Sequence, residues 1–244
     1  MTLPRFYFPS ALQPHSQFRV PSDLEHYLTR VLRLNAGAQV VVFDGHGGQY
    51  PARLISQNKQ SWIETSEHQP IETELKGDIT LVQGLPSGDK MDWIIEKATE
   101  LGATQIVPIQ ARYSISKLSG NRLEKRYQHW QRIAQAASAQ CGRNQLIKLA
   151  PLQTLEDYLK STKSDHLLLF CHPEATQAIS EPLKNSNTQS ITLFVGPEGG
   201  WAEHEVAAAL KHQVHAVQFG QRVFRTETAG LALIAACTAL LNWY

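Results

Sequence analysis

The chain has 244 residues, 42% hydrophobic and 18% charged, with a formal net charge of +1. Those values fit a folded, soluble globular protein of one large or two small domains, and they exclude a disordered polyelectrolyte. Its three cysteines, Cys141, Cys171 and Cys237, stand far apart with no CxxC pair. That argues against a disulfide scaffold or a zinc ribbon and for a reducing cytoplasm.

Residues 1–5 do not read as a signal peptide, and the first seventy residues alternate short β-like runs with turns. "QVVVF" and "QSWIE" are strands, "DGHGG" is a turn signal, and only residues 24–32 look helical. This predicts a small, mostly β domain over 1–70. Residues 64–78 hold five acids, one lysine and Pro70, and are expected to form a linker.

Beyond it the pattern becomes alternating. Strands are predicted at 79–82, 105–109, 146–149, 166–170, 191–195 and 214–219. Helices are predicted at 90–101, 122–140, 155–160, 174–183, 203–211 and from Glu227 onward. Continuous apolar strands alternating with helices predict a parallel sheet covered on both faces over 75–244. The apolar run 229–243 is too short to span a bilayer and is expected as a buried helix, so no membrane association is expected.

The charge is unevenly spread. Between Arg112 and Lys148 there are eight lysines and arginines against one acid, whereas 150–210 hold three lysines against eight acids. A basic block in a near-neutral chain points to a polyanionic partner or to a solvated helix face. The ten histidines show no ligand spacing, and no metal is expected.

Ligands of parallel sheets sit at the carboxyl ends of the strands. Three such ends stand out: "FCHP" from Phe170, "VGPEGG" from Val195 and "FGQRVFR" from Phe219. The glycine loop lacks the lysine and hydroxyl of a P-loop, and Pro197 and Glu198 break dinucleotide spacing. Glu198 also disfavours a phosphate at that place. The loop suits a ligand that is neutral or cationic at the contact, with Gly199 and Gly200 allowing close backbone approach. In "FGQRVFRTETAG", Thr226 is a candidate N-cap. Arg225 reads as a residue for chemistry or anion binding.

The pair "GPEGG" and "GQRVFRTETA" resembles the paired signature of the 16S ribosomal RNA uridine-N3 methyltransferases, members of the knotted SPOUT class of S-adenosylmethionine enzymes. "PRFYF", "VLRLNAG", "KMDWIIEKATELGATQIVPI" and "HWQRIAQAASAQCGRN" are similar to the same family, so the resemblance spans nearly the whole chain. Val223-Phe224 replaces the usual Ile-Leu, and Phe219 stands where Leu is common.

The resemblance implies an α/β protein: a PUA-like β-barrel for RNA binding, then a parallel-sheet domain whose carboxyl-terminal segment forms a deep trefoil knot. It implies S-adenosylmethionine held by Phe170, Cys171, Val195, Gly196, Pro197, Gly199, Gly200, Phe219, Gly220, Val223, Phe224 and Thr228. N3 methylation needs removal of an imide proton and stabilisation of the resulting anion. Arg225 is the candidate for the second task, with Glu227 and Glu198 as candidate bases. Arg5, Arg19, Arg33, Lys117, Arg122, Arg143 and Arg222 are candidate RNA contacts. The implied partners are 16S rRNA or the small ribosomal subunit and a second copy of the chain, in the cytoplasm. The competing readings are a methyltransferase on another RNA and a non-catalytic RNA-binding protein; the latter would have no use for both cofactor loops.

Overall fold

A computed structural model describes residues 3–162, 166–172, 174–184 and 186–244. Pro173, in the first of the three strand ends, lies outside the described residues. The chain divides into two units: Met1–Thr73 with Ser138–Leu146, and Glu74–Ala137 with Ile147–Tyr244.

The first unit is a five-stranded sheet in the order β1-β3-β4-β5-β2. Its strands are β1 (Arg5–Tyr7), β2 (Gln17–Arg19), β3 (Gln39–Phe43), β4 (Tyr50–Gln57) and β5 (Gln60–Thr65). β1 runs parallel to β3, and the other pairs are antiparallel. The inward residues Phe6, Val40, Val42, Leu54 and Ile63 alternate along their strands and form the core with Phe8 and Leu28. The predicted helix at 24–32 is α1 (Ser22–His26) followed by a π-helical turn, Tyr27–Val31, closed by Leu32 N donating to Tyr27 O.

Two features of this unit depart from the sequence reading. Residues 66–73 are not a free linker: Gln69 and Gln49 exchange backbone hydrogen bonds of 2.8 and 2.9 Å, and the amide of Asn144 donates to the Ile71 carbonyl. Ser138–Leu146 joins the unit through Arg5, whose guanidinium donates to the Arg143 carbonyl at 2.6 Å and to Asn144 Oδ1.

The second unit holds a seven-stranded, wholly parallel sheet in the order β10-β12-β9-β11-β6-β7-β8. Its strands are β6 (Asp78–Gly84), β7 (Gln105–Ile109), β8 (Lys148–Leu149), β9 (Leu167–Cys171), β10 (Gln177–Ala178), β11 (Ser190–Val195) and β12 (His215–Gln218). Its helices are α2 (Lys90–Glu100), α3 (Gly120–Cys141), α4 (Leu155–Ser161), α5 (Ser180–Lys184), α6 (Glu203–Lys211) and α7 (Thr226–Leu241).

The continuous apolar runs are explained by burial on both faces. Ile79, Leu81, Leu169, Ile191 and Leu193 pack on one face with Ile94 and Ile95 of α2, Trp130 of α3 and Leu233 and Ile234 of α7. Their neighbours Val82, Leu168, Phe170 and Phe194 pack on the other with Leu155 and Leu159 of α4 and Ala209 of α6. The helix expected at 174–183 is instead the short strand β10 followed by α5, because Gln177 and Ala178 pair with Val217 and Gln218 of β12.

Candidate functional site

The sheet order sets β12, β9, β11 and β6 side by side and parallel, so the segments after them emerge at one edge. There they enclose a cavity of about 670 Å³. Its wall is built from Cys171 at the end of β9 and His172 after it, the loop from Gly196 to Trp201 after β11, the loop from Phe219 to Arg225 after β12, and the start of α7. Lys90, the first residue of α2, completes it.

The glycine loop is a tight turn. Gly200 N donates to Pro197 O at 2.9 Å, and Gly200 sits at φ +71°, where a side chain would be strained. Gly220, in the second loop, sits at φ +79°. Gly199 lines the cavity and also has a packing role. A Cβ there would lie 2.8 Å from Cβ of Tyr113, so the bare backbone lets the loop pack on residue 113.

The two loops are joined through Thr226. Its hydroxyl donates to the Gly196 carbonyl at 2.6 Å and accepts from Gln83 Nε2 of β6 at 2.9 Å. Thr226 is therefore the first residue of α7 rather than its cap; Arg225 holds the cap position, and its carbonyl accepts from the amides of Thr228 and Ala229.

The charges at the cavity are sorted. Glu198 accepts from Lys90 Nζ at 2.7 Å, from Ser87 Oγ at 2.6 Å and from Ser87 N at 3.1 and 3.2 Å. Partial burial raises its carboxyl pKa, but the Lys90 and Ser87 hydrogen bonds outweigh this and hold it at about 2. The same hydrogen bond raises the Lys90 ammonium pKa. Glu227 is 3.7 Å from Lys90 through Oε2, a buried atom with no closer hydrogen-bond donor among the described residues. Burial raises the Cys171 thiol.

The cavity gathers Glu198, Arg225 and Glu227, and ten of the expected cofactor residues: Cys171, Val195, Gly196, Pro197, Gly199, Gly200, Phe219, Gly220, Val223 and Phe224. Two lie elsewhere. Phe170 is 2% exposed and stands behind the wall, its ring 5.6 Å from that of Trp201. Thr228 is exposed on α7 and does not line the cavity. Arg222, expected on RNA, lines the cavity. Arg19, Arg33, Lys117 and Arg122 are exposed. Arg143 is 4% exposed, and Arg5 is half-buried with its guanidinium 4.3 Å from the Phe43 ring, so neither presents a free cation at the surface.

Residues missed by sequence reasoning include Lys90, Ser87, Gln83 and Trp201. Lys90 had a signal: a cation opens a helix, where the dipole disfavours it unless acids are near. Gln83 had one too, as a polar residue ending an apolar strand. Trp201, whose buried Nε1 has no hydrogen-bond partner among the described residues, had none.

Among the described residues no group of side chains is arranged to hold a metal ion, and no helix is long and apolar enough to cross a membrane.

Comparison with known proteins agrees with this architecture. The model of the RNA methyltransferase domain matches residues 73–238, and that of the RNA methyltransferase PUA domain matches 26–63. Ribosomal RNA small subunit methyltransferase E of Synechocystis sp. is 35% identical over 222 residues, covering 89% of this chain and 71% of that protein. Its Bacillus subtilis counterpart is 29% identical, covering 90% and 88%. The crystal structure of ribosomal RNA small subunit methyltransferase E from Neisseria gonorrhoeae, bound to S-adenosyl methionine, is 32% identical and superposes with a TM-score of 0.90 over 98% of both chains. A Legionella pneumophila putative methyltransferase, also with bound cofactor, is 27% identical with a TM-score of 0.89. With a small β unit, a parallel sheet and paired loops at its carboxyl edge all matched along one chain, this protein belongs to the ribosomal RNA small subunit methyltransferase E family.

Proposed function

We propose that the chain methylates N3 of a uridine in the 16S RNA of the small ribosomal subunit, with S-adenosylmethionine as donor. The observation that carries this reading is the cavity between the glycine loop and the Phe219 loop, at one edge of the sheet. The cavity fits the donor. Val195, Phe219, Phe224 and Ala229 supply apolar walls, and bare backbone is presented at Gly196, Gly200 and Gly220. Glu198 and Glu227 make the site tolerant of a sulfonium cation. Held there, the donor would supply an electrophilic methyl group to N3.

The chain's own residues divide the remaining work. Glu227, which lines the cavity, takes the imide proton; among the described residues its Oε2 has only Lys90 near it, at 3.7 Å. Glu198 is a poor base: its oxygens already accept from Lys90 and Ser87, and at about 2 its pKa lies far below what proton abstraction needs. It fixes Lys90 and the loop. Arg225, exposed and making no side-chain hydrogen bond or ion pair among the described residues, stabilises the uracil anion. The target base enters flipped or single-stranded. Arg19, Arg33 and Arg122 contact phosphates.

We take the carboxyl-terminal segment to be threaded as in the knotted class. Supporting this, α7 begins beneath the Gly196 carbonyl and lies against β6 and β11. We also take the chain to act in the cytoplasm as a homodimer through its second unit. The outer face of α7 exposes Ala235, Ala239 and Leu240, an apolar stripe of the kind that helices bury. Sedimentation showing an active monomer at micromolar concentration would remove the dimer.

The test of the activity is mass mapping of rRNA from cells lacking the protein, with restoration by the purified chain and labelled donor. Loss and recovery of one N3-methyluridine in 16S RNA is expected. Methylation of a different RNA, or RNA binding with no transfer, would replace the reading with one of the competing ones.

A further inference from the structure

The segment 110–118 between β7 and α3 has no part in the cavity wall, yet it is fixed in place and presents an unusual set of side chains. Buried Ala111 and Ser114 anchor it. Gln110 Nε2 donates to Ser116 O at 3.0 Å, and Ser114 N donates to Ala111 O at 3.1 Å. Arg112 N donates at 3.0 Å to Glu205, a carboxylate only 3% exposed whose other oxygen accepts from Ala202 N. The segment is thus tied to the start of α6, immediately after the glycine loop.

Between these anchors the outward residues are Arg112, Tyr113, Ile115 and Lys117. Tyr113 is 51% exposed and Ile115 is 73% exposed. Among the described residues neither Arg112 nor Lys117 pairs with a carboxylate, and 110–118 contains no acid. The Tyr113 Cβ abuts Gly199 of the cavity wall. An aromatic, an aliphatic and two cations therefore stand together, held rigid, beside the cofactor cavity.

We infer that this loop is a docking surface for the single-stranded RNA that flanks the target base. Tyr113 stacks on a neighbouring base, Ile115 fills the gap left by the extracted one, and Arg112 and Lys117 hold the adjoining phosphates. Aromatic platforms interleaved with cations are how a protein grips unpaired nucleotides without reading their sequence. The charge argues against a second copy of the chain as occupant. In a two-fold contact a patch meets itself, and this one would set unpaired cations against cations.

The inference rests on the methyltransferase reading, and its test separates the two. Wild-type chain, Tyr113→Ala, Tyr113→Phe, Ile115→Ser and Lys117→Gln are titrated with a short single-stranded ribo-oligonucleotide centred on uridine. Cofactor affinity, sedimentation and melting temperature are measured alongside. Tyr113→Ala and Ile115→Ser should each weaken RNA binding roughly tenfold with the salt slope unchanged, and Tyr113→Phe should bind as wild type. Lys117→Gln should reduce the slope of log affinity against log salt by about 0.7. Cofactor affinity should be unchanged throughout. Ile115, being exposed, tests the surface without a folding cost. If both variants bind RNA normally, or if they dissociate an oligomer and leave RNA affinity intact, the loop is not the RNA surface, while the activity of the wild type stands. A wild type that neither binds nor methylates RNA overturns both readings.

Discussion

The hydroxyl of Thr226 donates to the carbonyl of Gly196 across 2.6 Å and thirty residues of sequence, with Gln83 donating to it from β6. One side chain fixes the glycine loop, the start of α7 and the end of a central strand. The cavity thus inherits its shape from a buried polar relay, in which every lost partner leaves another group unsatisfied.

Thr226→Val keeps the shape and removes both hydrogen bonds, leaving the Gln83 amide and the Gly196 carbonyl without this partner. A stability loss of about 1–3 kcal/mol is expected, with cofactor affinity reduced roughly tenfold. Thr226→Ser should restore both. Calorimetry and thermal melts check this; a valine variant with wild-type affinity would show that the relay does not set the cavity.

The pairing of Lys90 with Glu198 predicts a pH signature. The carboxyl is lowered from 4.5 to about 2, so its ionised form stabilises the native state above 4.5, and that contribution fades as pH falls toward 2. Lys90→Met should therefore be less stable than wild type at neutral pH, and the gap should narrow through that window. Melting temperatures measured as a function of pH decide the matter. A gap that stays constant down to pH 2 would mean that Lys90 acts through packing alone.

Arg225→Ala should lower single-turnover methylation about a hundredfold or more, as lost oxyanion donors do, while cofactor and RNA affinities stay near wild type. Glu227→Gln should behave likewise, and Glu198→Gln should instead weaken the cofactor site. Loss of RNA affinity with an intact saturated rate would make Arg225 a phosphate clamp.

Arg5→Ala is expected to act on folding and not on RNA. Its guanidinium holds the Arg143 carbonyl and Asn144 Oδ1 and lies over Phe43. The melting temperature should fall, with a cost of about 2 kcal/mol, and the salt slope of RNA binding should not change. Arg33→Ala should show the reverse. A reduced slope for Arg5→Ala would restore it to the RNA surface.

Gly199→Val should fail through packing. Its Cβ would meet the Cβ of Tyr113, an atom close to the backbone that cannot swing aside. Lower stability together with lost cofactor binding is expected. Partial rescue by Tyr113→Gly in the double variant would establish the cause.

The sequence by itself determined the local order of this protein. Short apolar runs such as "ITLFV", alternating with helical segments, read as strands buried on both faces, and Glu203–Lys211 was legible as a helix to the residue. The glycines and charges of "GPEGG" and "GQRVFRTETA" marked the two loops that meet at the cavity, because spacing and residue type suffice to propose a turn. What only the tertiary structure decided is which distant groups share a surface. Lys90 meets Glu198 across 108 residues, and Trp201 seats on Phe170, which removes Phe170 from the cavity wall. Arg5 and Arg143, equal in charge to Arg33 and Arg122, are drawn into a buried junction. No local pattern distinguishes a cation bound for phosphate from one that satisfies a carbonyl, because burial and partners are properties of the packed chain and not of the residue.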